Sequence, residues 1–170
     1  MSTITTHTKN GEPFDPVTED LHPHGEDPDV GVPSGPDELS GELDRLASKL
    51  YDASLILRRV SSRFEDSSHE HEHATIFAAA TLSNRAHERL QEAADALSSG
   101  HTGNTGYRMH DVTLPAENAH ALLNDWMMGY PSDRAQGLAG TIYAVAWTLD
   151  YVGRRLHFLV QDCELPYLEG

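Results

Sequence analysis

A long apolar pattern over residues 132–163 constrains the fold of this chain most. Its apolar residues recur at alternating steps of three and four, which is the heptad seam of a helix packed against other helices. The seam comprises Ala135, Leu138, Ile142, Val145, Leu149, Val152, Leu156, Leu159 and Cys163. Beside it, small residues recur every seven positions and would let a neighbouring helix approach closely. They are Ser132, Ala139, Ala146 and Gly153.

A second stripe on the same helix carries aromatic residues and points away from the seam. It consists of Tyr143, Trp147, Tyr151 and Phe158, with Arg154 between them. An amphipathic surface helix would carry charged residues there, and an exposed stripe would be an unusually large apolar patch for a monomer. We therefore expect a second copy of the chain to cover it, with Met127 and Met128 at the edge of the interface. Cover by the third helix and residues 99–114 of the same chain is the alternative.

Three further segments show helical periodicity. The seam over residues 37–66 is Leu39, Leu43, Leu46, Leu50, Ala53, Leu57, Val60 and Phe64. A second helix, with smaller apolar residues, would begin at a capping box of Ser67 and Glu70, and Pro115 and Gly129 would bound a shorter third helix. The sequence predicts an all-α four-helix bundle of three long helices and one short helix. It is up-and-down by default, although the long loop over residues 99–114 also permits a crossover.

Residues 1–36 differ in composition from the rest of the chain. They hold six of the nine prolines and seven acidic residues against the single Lys9. With few large apolar side chains, they bury too little surface to offset the entropy of ordering. We expect a disordered acidic arm over residues 1–36 and a helical bundle domain over residues 37–170. If the arm docks, we expect it on a basic flank of the first helix. This flank comprises Arg45, Lys49, Arg59 and Arg63.

The charge balance and the single cysteine bear on partners and location. The 170 residues hold 12 Lys and Arg against 27 Asp and Glu, a formal net charge of −15, which disfavours nucleic acid and anionic membranes as partners. Cys163 is the only cysteine, which excludes an intramolecular disulfide and is compatible with a reducing compartment. The sequence has no apolar run typical of a signal peptide and no uncharged stretch of the roughly 20 residues that cross a bilayer. We expect a cytoplasmic protein.

Two Glu-x-x-His pairs are the clearest candidates for chemistry. One is Glu70 and His73, with His69 one helical turn before His73, and the other is Glu117 and His120. Helical metal sites use these spacings. The pairs resemble those of the ferritin-like di-iron carboxylate proteins, and the resemblance implies a metal-dependent helical-bundle enzyme. It departs from that family because the pairs fall on the second and third helices rather than the second and fourth.

Sequence motifs of common enzymes are missing from this chain. It has no nucleophile elbow, no glycine-rich phosphate loop, no Cys-x-x-Cys and no dinucleotide fingerprint. An apolar face with tryptophan, tyrosine and arginine has the composition of an interface. We therefore expect a non-enzymatic adaptor or regulatory protein, homodimeric, that binds another protein and needs no cofactor. The alternatives are a metal-binding protein or enzyme that uses the Glu-x-x-His pairs, and an acidic mimic of nucleic acid.

Overall fold

Four α-helices make up the architecture of the described residues. The computed structural model of the chain describes residues 28, 31–65, 69–99, 110–129 and 133–162. The helices are α1 (Pro36–Ser61), α2 (Glu70–Ser98), α3 (His110–Gly129) and α4 (Asp133–His157). A 3-10 turn, Ser62–Phe64, follows α1, and a π-helical turn, Phe158–Asp162, follows α4. The predicted all-α bundle of three longer helices and one shorter helix is confirmed.

The helices follow one another in up-and-down order. Each packs on the next one in the chain, and α4 returns to α1. The Ser40 hydroxyl near the start of α1 donates to the carbonyl oxygen of Ala94 near the end of α2, so these two helices are antiparallel. Glu117 near the start of α3 lies beside Gly153 near the end of α4, so this pair is antiparallel as well. The end of α4 bonds to the start of α1, so these two helices are also antiparallel. Together the three pairs require α2 and α3 to run in opposite directions, which confirms the default topology and excludes the crossover alternative.

The predicted seams of α1 and α4 form the core. Every member of the α1 seam is buried, and so are the α4 seam residues from Ile142 to Leu159. Leu138 is partly buried, and the side chains of Ala135 and Cys163 lie outside the described residues. From α2 the core receives mostly alanines, which let the large leucines of α1 approach that helix closely. Burial of each such leucine stabilises the fold by about 1.5–3 kcal/mol.

Two predicted helix starts are wrong. The α2 helix begins at Glu70, and its N-cap residue is His69, which makes no side-chain capping hydrogen bond. Ser67 of the predicted capping box lies outside the described residues. The α3 helix begins at His110, and Pro115 lies inside it. The earlier start places Val112 in the core with no exposed surface. We infer that this burial offsets the hydrogen bond that a proline inside a helix loses. As a result, α3 covers more of its neighbours than predicted.

The base of the acidic arm is held by Arg155, in the last turn of α4. Its guanidinium donates to the carbonyl oxygens of Pro28 (3.1 Å) and Gly31 (2.7 Å) and to both carboxylate oxygens of Glu42. Gly31 has φ +88°, in the left-handed region that favours glycine. Described structure therefore begins before the predicted boundary at residue 36. The residue that binds this segment is Arg155, which does not belong to the predicted basic flank. The prediction of disorder for residues 1–27 lies outside the described residues.

Glu38, in the first turn of α1, bonds back to Ser34. The hydroxyl of Ser34 and its backbone N–H both donate to one carboxylate oxygen, and these two hydrogen bonds lower the pKa of Glu38 from its ordinary value of 4.5. The stabilisation they give is present above the ordinary pKa and is lost as the pH falls through the lowered one.

We expect Ser34→Ala to raise the pKa of Glu38 back toward its ordinary value, because the variant loses the hydroxyl that contributes most to the shift. NMR titration of the side-chain carboxyl carbon measures this pKa. Ser48→Ala is the control, because the described hydrogen bond of the Ser48 hydroxyl goes to the backbone carbonyl of Asp44 and not to a carboxylate. A pKa of Glu38 that is unchanged by Ser34→Ala would contradict the contact.

Candidate functional site

The structure divides the predicted aromatic stripe of α4 between the core and the surface. Tyr151 is 6% exposed, and the Lys49 ammonium lies 5.9 Å from its ring centre. Phe158 is partly buried against the core, and the Arg155 guanidinium lies 5.3 Å from its ring centre. Residues of the same chain therefore cover Tyr151 and much of Phe158. These two residues are covered within one chain, but the contacts described come from α1 and from α4 itself, whereas the predicted alternative named the third helix and residues 99–114.

The other half of the stripe lies on the surface. Trp147 is 39% exposed, and its ring centre is 5.9 Å from that of Tyr143, which is half-buried. Further along the same side of α4, the Arg154 guanidinium lies 4.0 Å from the Asp150 carboxylate, and both side chains are about half exposed. This side of α4 thus presents two aromatic rings followed by one pair of opposite charges.

The two methionines of α3 differ in exposure. Met128 is 88% exposed, whereas Met127 packs partly against the core. Glu117 of α3 lies beside Gly153 of α4, and the two helices are antiparallel. Met128 comes eleven residues after Glu117, and Ile142 comes eleven residues before Gly153, so Met128 and Ile142 lie at the same level of the bundle. Met128 is therefore level with the aromatic pair. We call this set of residues the outer face. It consists of Met128, Tyr143, Trp147, Asp150 and Arg154.

A groove of about 350 Å³ between α3 and α4 adjoins the outer face. It is lined by Glu117, His120, Leu149, Asp150, Gly153, Arg154 and His157. Gly153 is buried, and a Cβ atom at this position would lie 3.7 Å from the Cγ atom of Glu117. This agrees with the predicted close approach along the line of small residues. The side-chain amide of Asn124 lies 3.1 Å from Nε2 of His120, so that nitrogen accepts a hydrogen bond.

The two Glu-x-x-His pairs lie at opposite ends of the bundle. Glu70 and His73 are at the start of α2, where Nδ1 of His73 is 2.9 Å from the carbonyl oxygen of Ser61 in the last turn of α1. Glu117 and His120 are near the start of α3, at the other end. Among the residues that the structure describes, no three His, Cys, Asp or Glu side chains are placed to hold a metal ion. The ferritin-like arrangement of two adjoining pairs is therefore not formed.

Histidines of α2 contact α1 in ways that sequence reasoning missed. Nδ1 of His87 lies 2.9 Å from the carbonyl oxygen of Ala47, and the His87 ring lies 5.1 Å from that of Tyr51. His69, the N-cap residue of α2, has its ring 5.9 Å from that of Phe64 in the 3-10 turn after α1. With His73, these contacts join the two helices along their length. No periodic signal marks them, because each depends on a carbonyl or ring of another helix.

Comparisons and membrane propensity add two findings. No helix within the described ranges combines the length and the apolar character that a membrane span requires. Comparison with protein-family models, with curated proteins and with solved structures found no match. The geometry of the outer face is therefore the basis from which a function can be inferred.

Proposed function

We propose that this chain is a non-enzymatic adaptor or regulatory protein that forms a symmetric homodimer through the outer face and binds a further protein. The exposure of Trp147 beside Tyr143 carries the proposal. Tryptophan, tyrosine and arginine are the residue types that most often anchor protein interfaces, and the outer face holds all three. Met128 adds a flexible apolar side chain at the same level of the bundle.

The charges of the outer face suit a second copy of the chain. In an interface with two-fold symmetry, each surface patch meets the same patch of its partner. Asp150 of one chain can then meet Arg154 of the other, replacing a solvent-exposed pair that contributes little within one chain. The formal net charge of −15 per chain opposes the association of two copies. We therefore expect the dimer to tighten when salt screens this repulsion.

The proposal extends to the location of the protein and to its need for a cofactor. We propose a cytoplasmic location, because a chain with Cys163 as its only cysteine forms no intramolecular disulfide and is compatible with a reducing compartment. We propose no cofactor for this role, because binding through the outer face requires none. The net charge of −15 further favours protein partners with basic surfaces over nucleic acid.

Trp147→Glu should convert the dimer into a folded, helical monomer. A carboxylate in a desolvated interface opposes association strongly. Because Trp147 is partly exposed, the same change should lower the free energy of unfolding by less than the loss of a fully buried tryptophan, which costs about 3–5 kcal/mol. Light scattering at micromolar concentration gives the mass of each species, and circular dichroism gives its helix content.

Phe77→Glu is the matched control for this experiment. Phe77 is 48% exposed but lies on α2, outside the outer face, so its variant should remain a dimer. A wild-type chain that is monomeric at high micromolar concentration would contradict the homodimer. So would equal dimerisation of Trp147→Glu and the wild type. If Trp147→Glu unfolded, Trp147 would be a core residue and the main support for the proposal would be lost.

A further inference from the structure

A second cleft lies between α2 and α3 and shares no residue with the outer face or the adjoining groove. Its volume is about 310 Å³, at the lower end of the range for small-molecule sites. The cleft is lined by Leu82, Arg85, Arg89, Leu114, Pro115 and Asn118. Three apolar residues thus stand beside two guanidinium groups and one amide.

The apolar wall of the cleft depends on the early start of α3. Because this helix begins at His110, Leu114 and Pro115 are both helical and stand opposite α2. Leu114 is 42% exposed, although it is a large apolar residue on a packed helix. An apolar ligand that covered Leu114 would remove this surface from water, which is favourable.

The two arginines lie one helical turn apart on α2. Arg85 has no hydrogen bond or ion pair with any residue that the structure describes. Nη1 of Arg89 lies 3.1 Å from a carboxylate oxygen of Glu92, with both side chains nearly half exposed. Solvent makes such a pair weak, so the Arg89 guanidinium can exchange this contact for another anion. Two cationic groups are therefore available beside an apolar wall on a chain that is otherwise strongly acidic.

We propose that this cleft binds a small organic acid with an apolar body. Arg85 and Arg89 hold the carboxylate, since a guanidinium donates two parallel hydrogen bonds to it, and Leu82, Leu114 and Pro115 contact the apolar body. Inorganic phosphate fits the cleft less well as a ligand, because it has no apolar part and would leave the apolar wall exposed to water.

Isothermal titration calorimetry of the purified 170-residue chain with octanoate tests the proposal. We expect saturable binding of one octanoate per chain. Arg85→Gln should weaken it about tenfold or more, since a hydrogen bond between charged groups is lost. Octanol lacks the carboxylate and acetate lacks the apolar body, so each should also bind at least about tenfold more weakly than octanoate.

Arg59→Gln is the matched control, because Arg59 is an exposed arginine on α1 and lies outside the cleft. It should leave octanoate affinity unchanged, and circular dichroism should show that Arg85→Gln stays folded. The proposal is overturned if octanoate does not bind saturably, if Arg59→Gln weakens binding as much as Arg85→Gln, or if acetate binds equally well. A synthetic peptide of residues 12–27 that bound more tightly than octanoate, and depended on Arg85, would replace the small acid by an acidic peptide.

Discussion

Glu42→Ala should lower the free energy of unfolding by about 3–5 kcal/mol, the cost of removing one partner from a buried ion pair. Arg155 is 5% exposed, and its guanidinium donates from Nε and from Nη2 to the two carboxylate oxygens of Glu42. The variant keeps the hydrogen bonds to the carbonyl oxygens of Pro28 and Gly31 but loses the negative charge of Glu42. Urea denaturation followed by circular dichroism measures the loss.

Glu92→Ala is the matched control for this prediction. Glu92 also pairs with an arginine, Arg89, at 3.1 Å, but both side chains are nearly half exposed. Exposed pairs contribute about 0–1 kcal/mol, so this variant should unfold close to the wild type. If Glu42→Ala and Glu92→Ala lowered the free energy of unfolding equally, burial of the Arg155 pair would not increase its contribution to stability.

The periodic parts of the fold could be predicted from the sequence because helical periodicity is a local property. The seam from Leu39 to Phe64 repeats without interruption, and the structure buries all of it. The start of α3 could not be predicted in this way. Proline usually stands at the first position of a helix, and only the tertiary burial of Val112 explains why this helix continues before Pro115.

For the aromatic stripe of α4, helical periodicity predicts only part of what the structure shows. Residues four apart on a helix are separated by about 400°, so each step turns a stripe by about 40° around the axis. From Trp147 to Tyr151 this rotation is enough to carry the side chain from the surface to the side of α4 where Lys49 of α1 meets it. The sequence predicted which residues share a stripe, but which neighbouring helix covers each of them is a tertiary property.

The contacts of Arg155 had no signal in the sequence. An arginine in the last turn of a helix is expected to be solvent-exposed, where it interacts favourably with the helix dipole. Its partner Glu42 is 113 residues away in the chain, on a helix with many other acidic residues. Only the return of α4 to α1 brings the two together, so this ion pair could be found only in the structure.

At the end of the bundle opposite Arg155, we expect Phe64 to contribute as much to the free energy of unfolding as the ion pair between Arg155 and Glu42. The 3-10 turn after α1 buries this side chain to 1% exposure, with its ring centre 6.3 Å from that of Trp126 and the two planes 69° apart. We expect Phe64→Ala to lower the free energy of unfolding by about 3–5 kcal/mol through lost burial and the cavity that remains. Urea denaturation followed by circular dichroism measures this, with Phe77→Ala as the control.

Phe77 is 48% exposed, so its variant should cost much less than loss of Phe64, and equal effects would contradict the buried position of Phe64. The neighbouring Trp126 refines the expected magnitude. Its indole Nε1 is buried without a hydrogen-bond partner among the described residues. A buried water needs two to four polar partners, and this indole supplies only one, so we expect the cavity of Phe64→Ala to stay dry. The measured loss should then include the full contribution of the cavity, within the range of about 3–5 kcal/mol.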